Sequence, residues 1–217
     1  MGPRLVRGRR PRDAGAELTP RPWWFGPEVL DPVGPGAPFD LVLLDRDGTL
    51  NVRVVDGYVT TPDDLVLLPG AAEAVARITA SGCRAVLVTN QRGISRDLMT
   101  REDLERVHAR LADELAAAGG RLDAIAVCPH GAGECSCRKP HDGLFREALA
   151  RAPWADPARC LMVGDMPTDL DPADGLGIRT CRVGDDRPIG PAVEALVGPD
   201  HDVDRPLGLR RGEGHVP

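Results

Sequence analysis

The chain has 217 residues, 28% of them charged and 42% apolar, with a formal net charge of -6. These values suit a globular chain with one domain of about 150 residues plus tails, and the acidic balance offers no broad cationic footprint for nucleic acid. No apolar run approaches the roughly 20 residues needed to span a bilayer, and Arg9-Arg10 is not followed by an export-type apolar stretch, so no membrane association and a cytoplasmic location are expected.

Residues 1–38 are rich in Pro, Gly and Arg and carry neither the helical nor the strand period, which predicts an irregular arm. Trp23-Trp24-Phe25 is an apolar trio within it, able to dock on its own domain or on a partner. From Phe39 onward near-continuous apolar runs at Asp40–Leu44, Arg84–Val88, Leu122–Val127, Cys160–Val163 and Gly177–Val183 read as buried strands. Between them a helix is predicted at roughly 70–80, ending at Ser81-Gly82, and another at roughly 143–152. Thr100 caps a further helix, in which Leu104, Val107, His108, Leu111 and Leu115 recur at three- and four-residue spacing before Gly119-Gly120. His108 lies on that apolar stripe, where packing is its expected role. The alternation of strand and helix predicts an α/β fold with a doubly wound parallel sheet over residues 39–185. Residues 186–217 return to Pro, Gly and charge and are predicted to be a loose tail.

The chemistry-bearing residues fall at the ends of the predicted strands. Asp45 follows Leu41-Val42-Leu43-Leu44, at the carboxyl end of a strand, where open α/β sheets place their ligands. Residues two apart in extended chain face the same way, so Asp45 and Asp47 present two carboxylates together, and Gly48 allows the sharp turn behind them. Two such charges call for a cation, and an all-oxygen set favours magnesium. Thr89 and Asn90 follow the second strand, Lys139 lies in Arg138-Lys139-Pro140, and Asp165 and Asp169 follow the fourth strand. That set supplies what phosphoryl transfer needs: a nucleophile, a metal and groups that neutralise the phosphoryl oxygens.

Of six cysteines, Cys83, Cys160 and Cys181 sit singly in or beside apolar runs and read as core thiols. Cys128, His130, Cys135 and Cys137 offer three thiolates and one imidazole in one short loop, enough to close a tetrahedral zinc shell with no open position. Buried free thiols or a redox pair are the alternatives. A structural zinc here would pin the loop that runs into Arg138 and Lys139.

Asp45-Arg46-Asp47-Gly48-Thr49, then Thr89, Lys139 and Gly164-Asp165 with Asp169, taken in order, resemble the haloacid dehalogenase (HAD) superfamily of phosphatases across residues 40–185. Leu50-Asn51, Asn90-Gln91, the cysteine loop, Gly57-Tyr58-Val59 and Leu68-Pro69-Gly70 are similar to its heptose bisphosphate and histidinol-phosphate phosphatases. The resemblance implies that Asp45 attacks phosphorus and forms an aspartyl-phosphate. Asp47 would act as acid and then base, with a carboxyl raised by its surroundings. Magnesium would be held by Asp45, the Asp47 carbonyl and Asp165, with Asp169 outside that shell or orienting Lys139. Thr89 and Lys139 would hold the phosphoryl oxygens, and Asn51, Asn90, Gln91 and Arg138 would meet substrate, the alternatives being hydrogen bonds that shape the loop for Asn51 and Gln91 and pairing with a nearby aspartate for Arg138. The intervals between the motifs are filled by the elements already named, leaving no room for a separate cap domain. The loops 51–64, 91–97 and 128–138 are therefore expected to set specificity.

The expected substrate is a small phosphorylated metabolite, a heptose bisphosphate ahead of histidinol phosphate. An open site of this kind is compatible with a monomer. Two other readings remain: a zinc-stabilised interaction module that uses the Trp23-Trp24-Phe25 arm, and a nucleic-acid end phosphatase that uses Arg4, Arg7, Arg9, Arg10 and Arg12.

Overall fold

A computed structural model of the chain describes residues 20–198. Its centre is a six-stranded sheet in the order β1-β4-β3-β2-β5-β6. The strands are β1 (Trp23–Phe25), β2 (Leu41–Leu44), β3 (Arg84–Asn90), β4 (Ala124–Cys128), β5 (Cys160–Gly164) and β6 (Arg179–Arg182). All neighbours run parallel except β1, which pairs antiparallel with β4. The helices are α1 (Ala71–Ala80), α2 (Arg101–Ala117), α3 (Gly143–Ala150), α4 (Pro167–Asp174) and α5 (Ile189–Val197).

The pleat divides the strand residues between two cores. Val42, Leu44, Ala85, Leu87, Leu161 and Val163 face one side and pack with Val75 and Ile78 of α1, Leu111 of α2 and Val193 of α5. Leu41, Leu43, Val86, Val88, Cys160 and Met162 face the other side and meet Leu144 and Phe145 of α3 and Ala173 of α4. Every residue of β2 is buried, which accounts for its unbroken apolar run. Helix α2 starts as expected: the Thr100 hydroxyl accepts from the Asp103 amide at 3.1 Å, and the Asp103 carboxylate accepts from the Thr100 amide at 2.8 Å. His108 is buried on its inner face, as the stripe predicts.

Two expectations need correction. The supposed irregular arm contains β1, whose Trp23, Trp24 and Phe25 stand opposite Val127, Ala126 and Ile125. The trio therefore docks on its own domain. Trp23 and Phe25 pack with Met99, Leu104 and Val127, while Trp24 packs into the α3 side. The supposed loose tail contains α5, which buries Ile189, Val193, Leu196 and Val197 against the α1 side. Its Pro191 falls in the first turn, where a missing amide costs nothing. The arginine arm from Arg4 to Arg12 and the end of the tail lie outside the described residues.

Strand order reverses at β2: the chain goes from β2 through β3 to β4 on one side, then crosses to β5 and β6 on the other. Ligand crevices of open α/β sheets form at such a reversal, beyond the carboxyl ends of the strands. Asp45, Thr89, Cys128 and Asp165 all lie at or just past those ends.

Candidate active site

Asp45 continues β2, its amide donating to the Val163 carbonyl at 3.0 Å. Its Oδ1 accepts from Lys139 Nζ at 2.6 Å, and the same ammonium reaches Asp169 Oδ1 at 2.7 Å and the Val88 carbonyl at 2.8 Å. All three side chains are almost fully buried. A buried ammonium is tolerable only with such partners. Burial pushes the Lys139 pKa down, but Asp45 and Asp169 outweigh it and the net shift is upward. Burial drives the Asp45 carboxyl up; Lys139 opposes this, Asp169 and Asp47 add to it, and the result is about 6.

Lys139 is placed from both sides. Asn90 donates from its amide to the Lys139 carbonyl at 3.0 Å and accepts from the Lys139 amide at 3.1 Å. Asp169 in turn sits in the first turn of α4, where its Oδ2 accepts from the Met166 amide at 3.1 Å.

Asp47 differs from its expectation. Burial raises its carboxyl, but Arg46 beside it, with hydrogen bonds from Asn51, Arg46 and Gln91, more than offsets burial and holds it below the usual range. Arg46 Nη2 lies 3.0 Å from Oδ2, Asn51 Nδ2 lies 3.0 Å from Oδ1 and Gln91 Nε2 lies 3.0 Å from Oδ2. Behind this group, Arg46 Nη1 meets His108 Nε2 at 3.5 Å. A guanidinium can only donate, so that nitrogen keeps its lone pair.

Asn51 and Gln91 are buried and spend their amides on this framework, Gln91 also donating to Thr89 Oγ1 at 2.8 Å. They shape the site from below. Asn90 does line the cleft, although its amide is committed to Lys139. Thr89 is buried at the carboxyl end of β3, where its hydroxyl oxygen accepts that Gln91 bond.

The donor set that would hold a hard cation is assembled. Carboxylate oxygens of Asp45, Asp165 and Asp169 lie within 4.8 Å of one another. Gly48 has φ +94, and a Cβ there would fall 2.4 Å from Asp165 Oδ2, so only glycine leaves Asp165 its position. The Asp47 carbonyl and the Asp165 carboxylate already converge on one positive group: Arg53 Nη2 lies 2.7 Å from the carbonyl and 2.8 and 3.0 Å from the two carboxylate oxygens. Oxygen donors converging on a cation fit magnesium.

Around these residues lies an open cleft of about 660 Å³, a usual size for a small-molecule site. Arg53, Tyr58, Arg92, Arg96 and Arg138 stand on its walls and Asp45 and Lys139 in its floor. The sequence reading does not single out Arg53, Arg92 or Arg96. The available signal is their place in the loops 51–64 and 91–97, which were expected to govern specificity. Arg96 ties those loops together, its Cζ 5.9 Å from the Tyr58 ring centroid and its Nη1 3.4 Å from the hydroxyl. Arg138 lines the cleft with its Nη1 buried and without a hydrogen-bond partner among the described residues.

Beside the cleft, the four soft ligands meet. Cys128 Sγ lies 3.6 Å from His130 Nδ1 and 3.6 Å from Cys135 Sγ, while Cys137 Sγ lies 3.3 Å from both His130 Nδ1 and Cys135 Sγ. Tetrahedral zinc with its usual ligand distances has edges of about 3.3–3.8 Å, so the arrangement fits. Hydrogen bonding, first from Cys137, lowers the Cys128 thiol to about 5, while the same contact raises Cys137. One thiolate is favoured at its neighbour's expense, as expected of a cluster that needs a cation to carry all its negative charge. No helix among the described residues is long and apolar enough to cross a membrane.

A HAD-hydrolase-like family model matches residues 136–203, the stretch that carries Lys139, Asp165 and Asp169. The D-glycero-beta-D-manno-heptose-1,7-bisphosphate 7-phosphatase of Bordetella bronchiseptica is 41% identical over 138 residues, 63% of this chain and 76% of the relative. The D-glycero-alpha-D-manno-heptose-1,7-bisphosphate 7-phosphatase of Mycobacterium tuberculosis is 40% identical over 136 residues, 62% of this chain and 72% of the relative. The crystal structure of D,D-heptose 1,7-bisphosphate phosphatase from B. bronchiseptica, complexed with magnesium and phosphate, matches with a TM-score of 0.64 at 38% identity. That match covers 72% of this chain and 86% of the other.

Proposed function

The chain belongs to the HAD-like phosphatases, and on that premise we propose that it removes the 7-phosphate of a D-glycero-D-manno-heptose 1,7-bisphosphate through an aspartyl-phosphate on Asp45. The observation that carries this reading is the distribution of charge in the cleft. Lys139 stands beside Asp45 in the floor, and Arg92, Arg96 and Arg138 stand on the walls. One phosphate would be cleaved at the floor while the arginine forks grip the other, non-reacting phosphate. The names of the relatives support a heptose bisphosphate over histidinol phosphate.

Asp45, Asp165 and the Asp47 carbonyl would hold magnesium, which when bound neutralises the phosphoryl oxygens and the carboxylates facing them. With its pKa near 6, Asp45 is mostly ionised at neutral pH. One of its oxygens forms a bond to phosphorus as the bond to the sugar oxygen breaks. Lys139 and the Thr89 hydroxyl hold phosphoryl oxygens through that step. Asp47 gives the departing oxygen its proton, then takes a proton from the water whose oxygen attacks phosphorus, releasing phosphate and restoring Asp45. The free protein holds Asp47 as the base form. Its acid form therefore depends on the phosphate, whose negative charge works against a neighbouring carboxylate. Zinc on Cys128, His130, Cys135 and Cys137 would fix the segment leading to Lys139.

Phosphate release in magnesium from the α and β anomers of the heptose bisphosphate and from histidinol phosphate tests the assignment. One heptose anomer should exceed histidinol phosphate in kcat/KM by more than about tenfold. The reverse preference would overturn it.

A further inference from the structure

Arg53 sits against the oxygens of Asp47 and Asp165 that would hold a metal ion. A single nitrogen, Nη2, donates to the Asp47 carbonyl at 2.7 Å and to the Asp165 oxygens at 2.8 and 3.0 Å. These are donors that the proposed function gives to magnesium, and the present inference rests on that reading. An ion held at about 2.1 Å from such oxygens cannot share the space with a nitrogen already in hydrogen-bond contact with them. The Arg53 side chain is 48% exposed, and it rides on a segment whose Val52, Val54 and Val55 are exposed as well. Little packing holds it there, so the arm is free to leave when a stronger cation arrives.

We propose that Arg53 is a built-in competitor for the divalent-metal site: it neutralises Asp165 while the metal is absent and must swing off the Asp47 carbonyl and Asp165 before the ion is held. Without a counter-charge, Asp165 would face Asp45 and Asp169 with carboxylate oxygens within 4.8 Å of one another, an arrangement of like charges that repel. Arg53 offsets that repulsion and holds the carboxylate in place. The same contact weakens metal binding twice over, since the guanidinium must be displaced and its charge opposes the approaching ion. Both effects have one sign, and because the Arg53 side of the pair is about half exposed each is modest.

Calorimetric titration of magnesium into the zinc-loaded, magnesium-free protein tests this, using the wild type, Arg53→Gln and Arg53→Lys. Arg53→Gln should tighten the magnesium Kd about three- to tenfold, and Arg53→Lys, which keeps the charge but loses the fork, should fall between the two. Without magnesium, Arg53→Gln should melt below the wild type, and saturating magnesium should remove that gap. A Kd in Arg53→Gln that is unchanged or weaker, with a wild-type melting transition in saturating magnesium, overturns the proposal and leaves the magnesium reading intact. If the wild type binds no magnesium, or if Asp165→Asn binds it as tightly as the wild type, the metal assignment fails and this proposal fails with it.

Discussion

His108 shows how far a single buried side chain reaches. It supports Arg46, which in turn holds Asp47. Burial, then the Arg46 charge, lowers its pKa from 6.5 to about 3, with Asp47 only partly opposing. The folded protein therefore refuses a proton that the unfolded chain accepts below pH 6.5. Stability from this group is complete above pH 6.5 and falls as pH drops towards 3, by roughly 1–2 kcal/mol between pH 6.5 and 5. In denaturant melts across that window, His108→Gln should lose less stability than the wild type; parallel curves would contradict the account. At this scale Asp45 and Asp165 were legible in the sequence because each follows an apolar run, and Lys139 because it stands in an ordered set with them. Asn51, Asn90 and Gln91 were read as substrate contacts, but which way an amide turns depends on residues distant in sequence. Gln91 meets Asp47, and Asn90 meets the Lys139 backbone, only once the strands are side by side. Arg53 carries no motif at all, and its significance comes from the carbonyl and carboxylate it faces.

The segment from β4 to α3 shows the same dependence among elements. Cys128 closes β4, and Cys137 directly precedes Arg138 and Lys139. A Cβ on Gly143, at the start of α3, would fall 2.6 Å from the Ser136 carbonyl, so loop and helix are in close contact. Removing one ligand from a closed shell costs metal and order together. Cys135→Ser should lose most of the zinc measured by metal analysis, lower the melting temperature by several degrees and reduce kcat through a looser Lys139; full zinc content with an unchanged melt would refute the site. Helices α1, α2 and α3 and the five parallel strands were readable from period and caps, whereas α4 was not singled out. Strand β1 was not readable, because three residues cannot display a period, and its pairing partner lies about a hundred residues away. Helix α5 was hidden by Gly190 and Pro191, which argue locally against a helix that packing against the α1 face sustains.

For the molecule as a whole, β1 and α5, within the segments that looked structureless, complete the fold. Strand β1 covers the outer edge of β4 and gives Arg101 two aromatic faces, with its Cζ 5.2 Å from the Trp23 ring and 5.0 Å from the Phe25 ring. Helix α5 covers α1 near the other side of the switch point. Between them the reversal at β2 brings Asp45 and Asp165 together. The proposed reaction depends on one carboxylate, Asp45. Phosphate release from the heptose bisphosphate in magnesium, compared between the wild type and Asp45→Asn at matched folding, tests that dependence most directly. The account predicts a loss of about a thousandfold or more in kcat for Asp45→Asn. Turnover within about tenfold of the wild type would contradict Asp45 as the group that takes the phosphate.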